Sequence, residues 1–235
     1  MKKKILILGA SSDIGIEVIN KVLKKNWEIT AHYSKNKKIL SNFSKLNLIR
    51  CDFNKINENN CQKIIDKVFK DKFDIVVNLV GYIDNKSYQK SDLKSLIKSI
   101  KINTLIPMLI QRKIIKNMEK NKFGRILNAS SIGVKFGGGN NTFNYGVAKH
   151  CLEFIPNNYK EWAKKNICIN NLRIGVTNTK IHKKIKKKIT MKKRIQLIPA
   201  ARMASPDEIA NYIVGLISEK NTYMTGQTVT VAGGE

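Results

Sequence analysis

Apolar residues fall along this chain in short runs that alternate with amphipathic stretches, from one end to the other. Ile5–Leu8, Glu28–Tyr33, Leu46–Cys51, Phe73–Leu79, Arg125–Ala129, Ile167–Ile174 and Thr228–Val231 have the length and β-branched content of strands. Between the first two, Ile14, Val18, Ile19, Val22 and Leu23 recur at helical spacing. The same periodicity predicts helices over Glu58–Lys70, Ser91–Asn121, Asn144–Lys165 and Pro206–Ser218. The last has its own start signal, with Ser205 as N-cap, Pro206 as first helical residue and Glu208 closing a capping box. Pro156 falls inside the Asn144–Lys165 helix, where an interior proline removes a hydrogen bond and kinks or breaks the turn.

Strands alternating with helices build a parallel sheet with right-handed crossovers, covered on both faces. The expected class is α/β, a doubly wound, mostly parallel sheet of seven strands. With no internal repeat and no linker, residues 1–235 read as one domain. Ligands of such sheets bind beyond the carboxyl ends of the strands, so the residues just after each strand are the informative ones.

Composition narrows the functional classes. No run of 18 apolar residues appears, so no membrane span is expected, and the apolar stretch after Lys2–Lys4 is too short for an export signal. Cys51, Cys61, Cys151 and Cys168 lack metal-ligand spacing and read as reduced thiols of a cytosolic protein. The formal net charge is +27. Such a field suits an anionic partner, although the abundance of Lys, Asn and Ile throughout also fits an A+T-rich coding bias. The segment 162–206 concentrates the charge, with 13 basic residues and no acidic one.

Two local patterns carry chemistry. "LGASSDIG", residues 8–15, follows the first strand and opens a helix, and helix N-termini present free N–H groups and a positive dipole end to phosphate. Gly9 and Gly15 bracket it, but Asp13 stands where a middle glycine would relax the turn. A capped helix alone would explain as much. If the turn holds a dinucleotide, Asp13 should face its helix, leaving Ser11, Ser12 and Ile14 toward the ligand. The second pattern is Tyr145 and Lys149, four apart on one predicted helix face. Bringing a phenol from a pKa near 10 to about 7 needs roughly 4 kcal/mol. A cation about 4 Å away at an effective dielectric near 20 supplies roughly that much.

Taken in order, the motifs resemble the short-chain dehydrogenase/reductase family in its compact single-domain branch, nearest to the 3-oxoacyl-acyl-carrier-protein reductases. The resemblance runs almost end to end. It covers the Gly9–Gly15 turn, Asp52, "NLVG" from Asn78 to Gly81, Ser131, Tyr145-xxx-Lys149, "NNLRIG" at 170–175 and the stretch from Thr225 to Gly234. It implies that Tyr145 exchanges a proton with a carbonyl oxygen, that Ser131 hydrogen-bonds that oxygen, and that Lys149 lowers the Tyr145 pKa and holds a ribose. Asn103 would hold a water linking Lys149 to solvent. The implied cofactor contacts are Gly9, Ser11, Ser12, Ile14, Gly15, Tyr33, Ser34, Lys35, Asp52, Asn78, Gly81, Tyr145, Lys149, Thr177 and Thr179. No acid ends the second strand, and Ser34 and Lys35 suit a 2′-phosphate, so NADP(H) is expected over NAD(H).

The implied substrate is a small-molecule or carrier-bound carbonyl, anionic if the basic lid at 176–202 contacts it, and the implied assembly is a homodimer or homotetramer. A dehydrogenase of a sugar or other small polar carbonyl shares the same motifs. A nucleotide-sensing or RNA-binding protein on this fold is a rival from another class. Its basic segment lacks the interleaved aromatics of a base-stacking surface, and mere binding has no need of the Asn-Ser-Tyr-Lys set.

Overall fold

The computed structural model describes residues 2–180 and 188–235. One sheet of seven strands organises it: β1 (Lys4–Leu8), β2 (Glu28–Tyr33), β3 (Leu46–Arg50), β4 (Ile75–Asn78), β5 (Gly124–Ser131), β6 (Ile167–Ile174) and β7 (Thr228–Val231). Their spatial order is β3-β2-β1-β4-β5-β6-β7, with every neighbouring pair parallel. The order reverses between β1 and β4, which opens a crevice at their carboxyl ends.

Side-chain alternation separates the two cores. Leu6, Leu8, Val76, Ile126 and Ile169 pack on one face against Ile65 of α2 (Cys61–Val68) and Ile110 and Ile114 of α4 (Ile106–Asn121). Ile5, Ile7, Ile29, Leu127 and Leu172 pack on the other against Val18 of α1 (Asp13–Leu23) and Ile213 of α8 (Pro206–Leu216). Each such side chain contributes about 1.5–3 kcal/mol when fully buried, and a one-residue slip of a strand would move its whole set to the wrong face. The start of α8 is capped as its sequence indicates. Ser205 Oγ accepts from Glu208 N at 3.1 Å, and Ser205 N donates to Glu208 Oε2 at 2.8 Å.

Two expected helices are divided. The Ser91–Asn121 stretch forms α3 (Leu93–Ile100), a π-helical turn at Lys101–Leu105, and then α4. Pro107 explains the widened turn, since its ring would otherwise meet the carbonyl of Asn103 four residues back. The Asn144–Lys165 stretch stops after α5 (Phe143–Leu152) and resumes only as α6 (Tyr159–Ala163). Pro156 supplies no N–H and disfavours helical backbone at Ile155, so the proline breaks the helix outright.

The helix α7 (Lys188–Gln196) belongs to the basic segment between β6 and α8. Residues 181–187 of the expected 176–202 lid, His182 among them, lie outside the described residues.

Candidate active site

At the reversal point, Gly9 takes φ +73° and packs against the backbone of Leu79, whose carbonyl oxygen would lie 2.9 Å from an added Cβ. Only glycine combines that dihedral with so close an approach. Gly15 is equally confined, because a side chain there would run into the Ala10 carbonyl. Ser12 caps α1 by accepting from Gly15 N at 3.1 Å. The amides of Asp13 and Ile14 remain among the first-turn donors that the helix itself cannot satisfy.

A cleft of about 430 Å³ lies beyond this turn. Of the residues expected to hold a cofactor, Gly9, Ser11, Ser12, Ser34, Lys35, Asp52 and Gly81 line it, and Lys98 of α3 lines it as well. Hydroxyls, a helix N-terminus and two ammonium groups form a donor set whose chemistry fits a pyrophosphate and a further phosphate. Asp52 also caps the turn after β3, accepting from Asn54 N at 3.1 Å.

Several expected contacts lie elsewhere. Tyr33 is buried in the core with Ile29 and Ala31, because alternation along β2 turns it from the cleft and turns His32 toward it. His32, like Lys98, is a lining residue that the motif reading missed. Ile14 packs against the same core rather than the cleft. Asn78 is fully buried and belongs to an amide ladder across three strands. It sits beside Asn128, which sits beside Asn171. Asn78 Nδ2 donates to Asn128 Oδ1 at 3.2 Å, Asn128 Nδ2 to Asn171 Oδ1 at 3.3 Å, and Gln111 Nε2 to Asn128 Oδ1 at 2.6 Å. Thr177 and Thr179 are buried, their hydroxyls donating to the Gly175 and Thr177 carbonyls at 3.0 and 3.3 Å.

Asp13 turns from the cleft, but not onto its own helix. Its Oδ2 accepts from Lys180 N at 2.6 Å, so the carboxylate pins the loop after β6 while Ser12 performs the capping.

At the end of β5, Ser131, Tyr145 and Lys149 converge. The strand's alternation gives two neighbouring serines opposite tasks. Ser130 Oγ donates to Glu153 Oε1 at 2.6 Å, on the side away from the phenol. Ser131 Oγ accepts from Gly133 N at 3.1 Å and lies close enough to the Tyr145 hydroxyl to draw its pKa down. Glu153 also takes Arg173 of β6 through both carboxylate oxygens, at 2.8 and 2.6 Å, tying the end of α5 to the sheet. Lys149 is buried, with Nζ donating to the Val80 and Ala129 carbonyls at 2.8 and 2.5 Å and standing 5.7 Å from the Tyr145 ring centre. Burial pushes the Tyr145 phenol up to about 12 against the pull of Ser131, and lowers Lys149 to about 7.

Asn103 sits in the π-turn with its side chain fully engaged. Oδ1 accepts from Tyr82 N at 2.7 Å, while Nδ2 donates to the Tyr82 and Ser99 carbonyls at 2.9 and 3.0 Å. Val80, two residues before Tyr82, supplies the carbonyl that holds Lys149. The Asn103 side chain therefore reaches Lys149 through the 80–82 segment.

A glycine turn at the reversal of a parallel sheet, with a serine, a tyrosine and a lysine gathered one strand further on, defines a dinucleotide-dependent oxidoreductase. The chain belongs to the short-chain dehydrogenase/reductase family. A family model described as enoyl-(acyl carrier protein) reductase matches residues 9–235. The 3-oxoacyl-acyl-carrier-protein reductase FabG of Aquifex aeolicus is 31% identical over 180 residues, covering 75% of this chain and 72% of its own. The enzyme of the same name from Buchnera aphidicola subsp. Schizaphis graminum is 29% identical over 235 residues, covering 99% and 88%. The solved structure of a variant of ElxO with NADPH bound superposes with a TM-score of 0.83 at 25% identity, covering 100% of this chain and 98% of that one. This protein is accordingly an NAD(P)-dependent short-chain dehydrogenase/reductase. Among the described residues no helix is long and apolar enough to cross a membrane.

Proposed function

We propose that the protein reduces the 3-keto group of an acyl thioester carried on an acidic carrier, with NADPH as the reductant. The observation that carries this reading is the meeting of Ser131 and Tyr145 at the end of β5, with Lys149 held beside them by two backbone carbonyls. The nicotinamide cofactor, when bound, supplies the hydride that reaches the carbonyl carbon. Tyr145 donates its phenolic proton to the carbonyl oxygen, so a ketone plus hydride and proton becomes a secondary alcohol. Ser131 donates a hydrogen bond to the same oxygen as charge builds on it. The Lys149 ammonium stabilises the phenolate left behind and a ribose hydroxyl, and Asn103 keeps the carbonyl-bearing segment that orients Lys149 in place.

Gly9, Ser11, Ser12, Gly15 and Gly81 would hold the pyrophosphate end, and Asp52 the adenine. Ser34 and Lys35 on the cleft wall, with Lys98 lining the same cleft, support NADP(H) over NAD(H). The named activity of the curated relatives supports the carrier-bound substrate, as does the basic segment 176–202, which would act as the lid. One sheet running from Lys4 to Val231 supports a single domain. Free cysteines fit the cytoplasm. Exposed Leu105 and Phe154 fit a face that a second copy would cover in a homodimer or homotetramer.

The test is turnover of acetoacetyl thioester with NADPH and with NADH, by the protein and by Tyr145→Phe, with crotonyl thioester as the alkene control. NADPH oxidation with the keto substrate should fall about a thousandfold in the variant while NADPH still binds. Slow, equal rates in both proteins would overturn the assignment of Tyr145. A preference for the crotonyl ester would make this an alkene reductase.

A further inference from the structure

His32 is buried at the end of β2, yet it lines the cleft. It touches the first three strands at once. Its carbonyl accepts Ala10 N at 2.9 Å and its Nδ1 accepts Gly9 N at 3.2 Å, so two successive amides of the glycine turn end on one residue. Its Nε2 lies 2.9 Å from the Cys51 carbonyl at the end of β3. Phe53 stacks on the ring at 4.7 Å between centres and 14° between planes, and Phe69 leans on it at 6.0 Å. Gly9 is thus gripped from both sides, by His32 and by the Leu79 backbone.

The partners dictate the tautomer. A backbone N–H can only donate and a backbone carbonyl can only accept, so Nδ1 must carry the lone pair and Nε2 the hydrogen. A second proton would set two donors against each other at Gly9, and burial keeps the ring neutral by lowering His32 to about 4.

We propose that His32 is a positioning residue for the dinucleotide. Its neutral, Nε2-protonated imidazole holds the Gly9 amide beside the one its backbone carbonyl holds, so that the Ser11–Ile14 amides present themselves to the pyrophosphate. The proposal rests on the reading of the Gly9–Gly15 turn as the cofactor site. His32 touches no reacting atom in this role, so its removal should weaken cofactor binding and leave the chemical step alone.

Nitrogen NMR of the whole protein labelled at histidine reads the tautomer without any cofactor, and Nδ1 should be the unprotonated nitrogen. A protonated Nδ1 would overturn the proposal. His32→Leu keeps bulk and removes the acceptor, whereas His32→Asn returns an oxygen close to the Nδ1 position. His32→Leu should raise both the Kd and the KM for NADPH about tenfold with kcat changed less than about twofold, and His32→Asn should recover most of the loss. Unchanged NADPH affinity in His32→Leu, or kcat falling in step with affinity, would overturn it. Should His32→Leu fail to fold, His32→Asn decides, since Asn binding NADPH more than about tenfold worse than the parent removes the acceptor argument. Failure of the parent itself to bind NADPH would overturn the cofactor reading, and the proposal with it, whatever the tautomer.

Discussion

Tyr145 and Lys149 are brought together by the same burial that strips both of water. Charge arithmetic from the sequence has the ammonium drawing the phenol's pKa down toward about 7. In the structure desolvation outweighs that pull, with Tyr145 at about 12 and Lys149 at about 7. The neutral phenol is therefore available as proton donor across the working range, and the titrating group is Lys149. Below about pH 7 Lys149 is charged and stabilises negative charge on Tyr145; above it the charge is lost. The kcat/KM for carbonyl reduction should fall as pH rises through about 7, and Lys149→Met should be slow with no such limb; an identical limb in the variant would assign it to another group. The motif made Ser131, Tyr145 and Lys149 legible because their chemistry fixes residue type and spacing together. Tyr33 and His32 were exchanged because motif position outweighed strand alternation, which placed Ile29, Ala31 and Tyr33 on one face and His32 on the other.

Strand positions were readable from short apolar runs, since a buried parallel strand has little choice of residue. Helix continuity was less so. Pro156 announced a break, but Pro107 gave no sign of the π-turn that Asn103 occupies, because a bulge and a kink both accommodate a proline. The amide ladder was hidden for another reason. Asn78, Asn128 and Asn171 lie far apart in the chain, and only the strand register aligns them. Replacing the middle rung tests what it holds. Asn128→Leu leaves Gln111, Asn78 and Asn171 with buried unpaired groups and should cost about 3 kcal/mol in denaturant unfolding. A change below about 1 kcal/mol would mean that the neighbouring amides find other partners.

At the scale of the molecule, charge is the property that the fold leaves unexplained. Most of the 44 basic residues have no acidic neighbour to meet, there being 17 acids in all. Several acids are committed within the fold, as Asp13 is to Lys180, Glu119 to Lys165 and Glu208 to Arg202. The surplus makes a long-range field that steers an acidic carrier but is indifferent to a small neutral ester. Raising salt from about 20 to 200 mM should lower kcat/KM about tenfold on a carrier-bound substrate and less than about twofold on a small thioester. Equal sensitivity would assign the charge to coding bias alone.

The pairing of Glu153 with Arg173 has a bearing on how this sequence can change over generations. Loss of Arg173 strands a carboxylate that the fold has largely removed from water, and loss of Glu153 leaves a half-buried guanidinium without its counter-ion, each step more harmful than exchanging both for apolar residues. Drift must cross that barrier nearly in one move. In lineages close to this one the two positions should arrive and depart together, and a descendant holding only one of them would have found a new counter-ion for it.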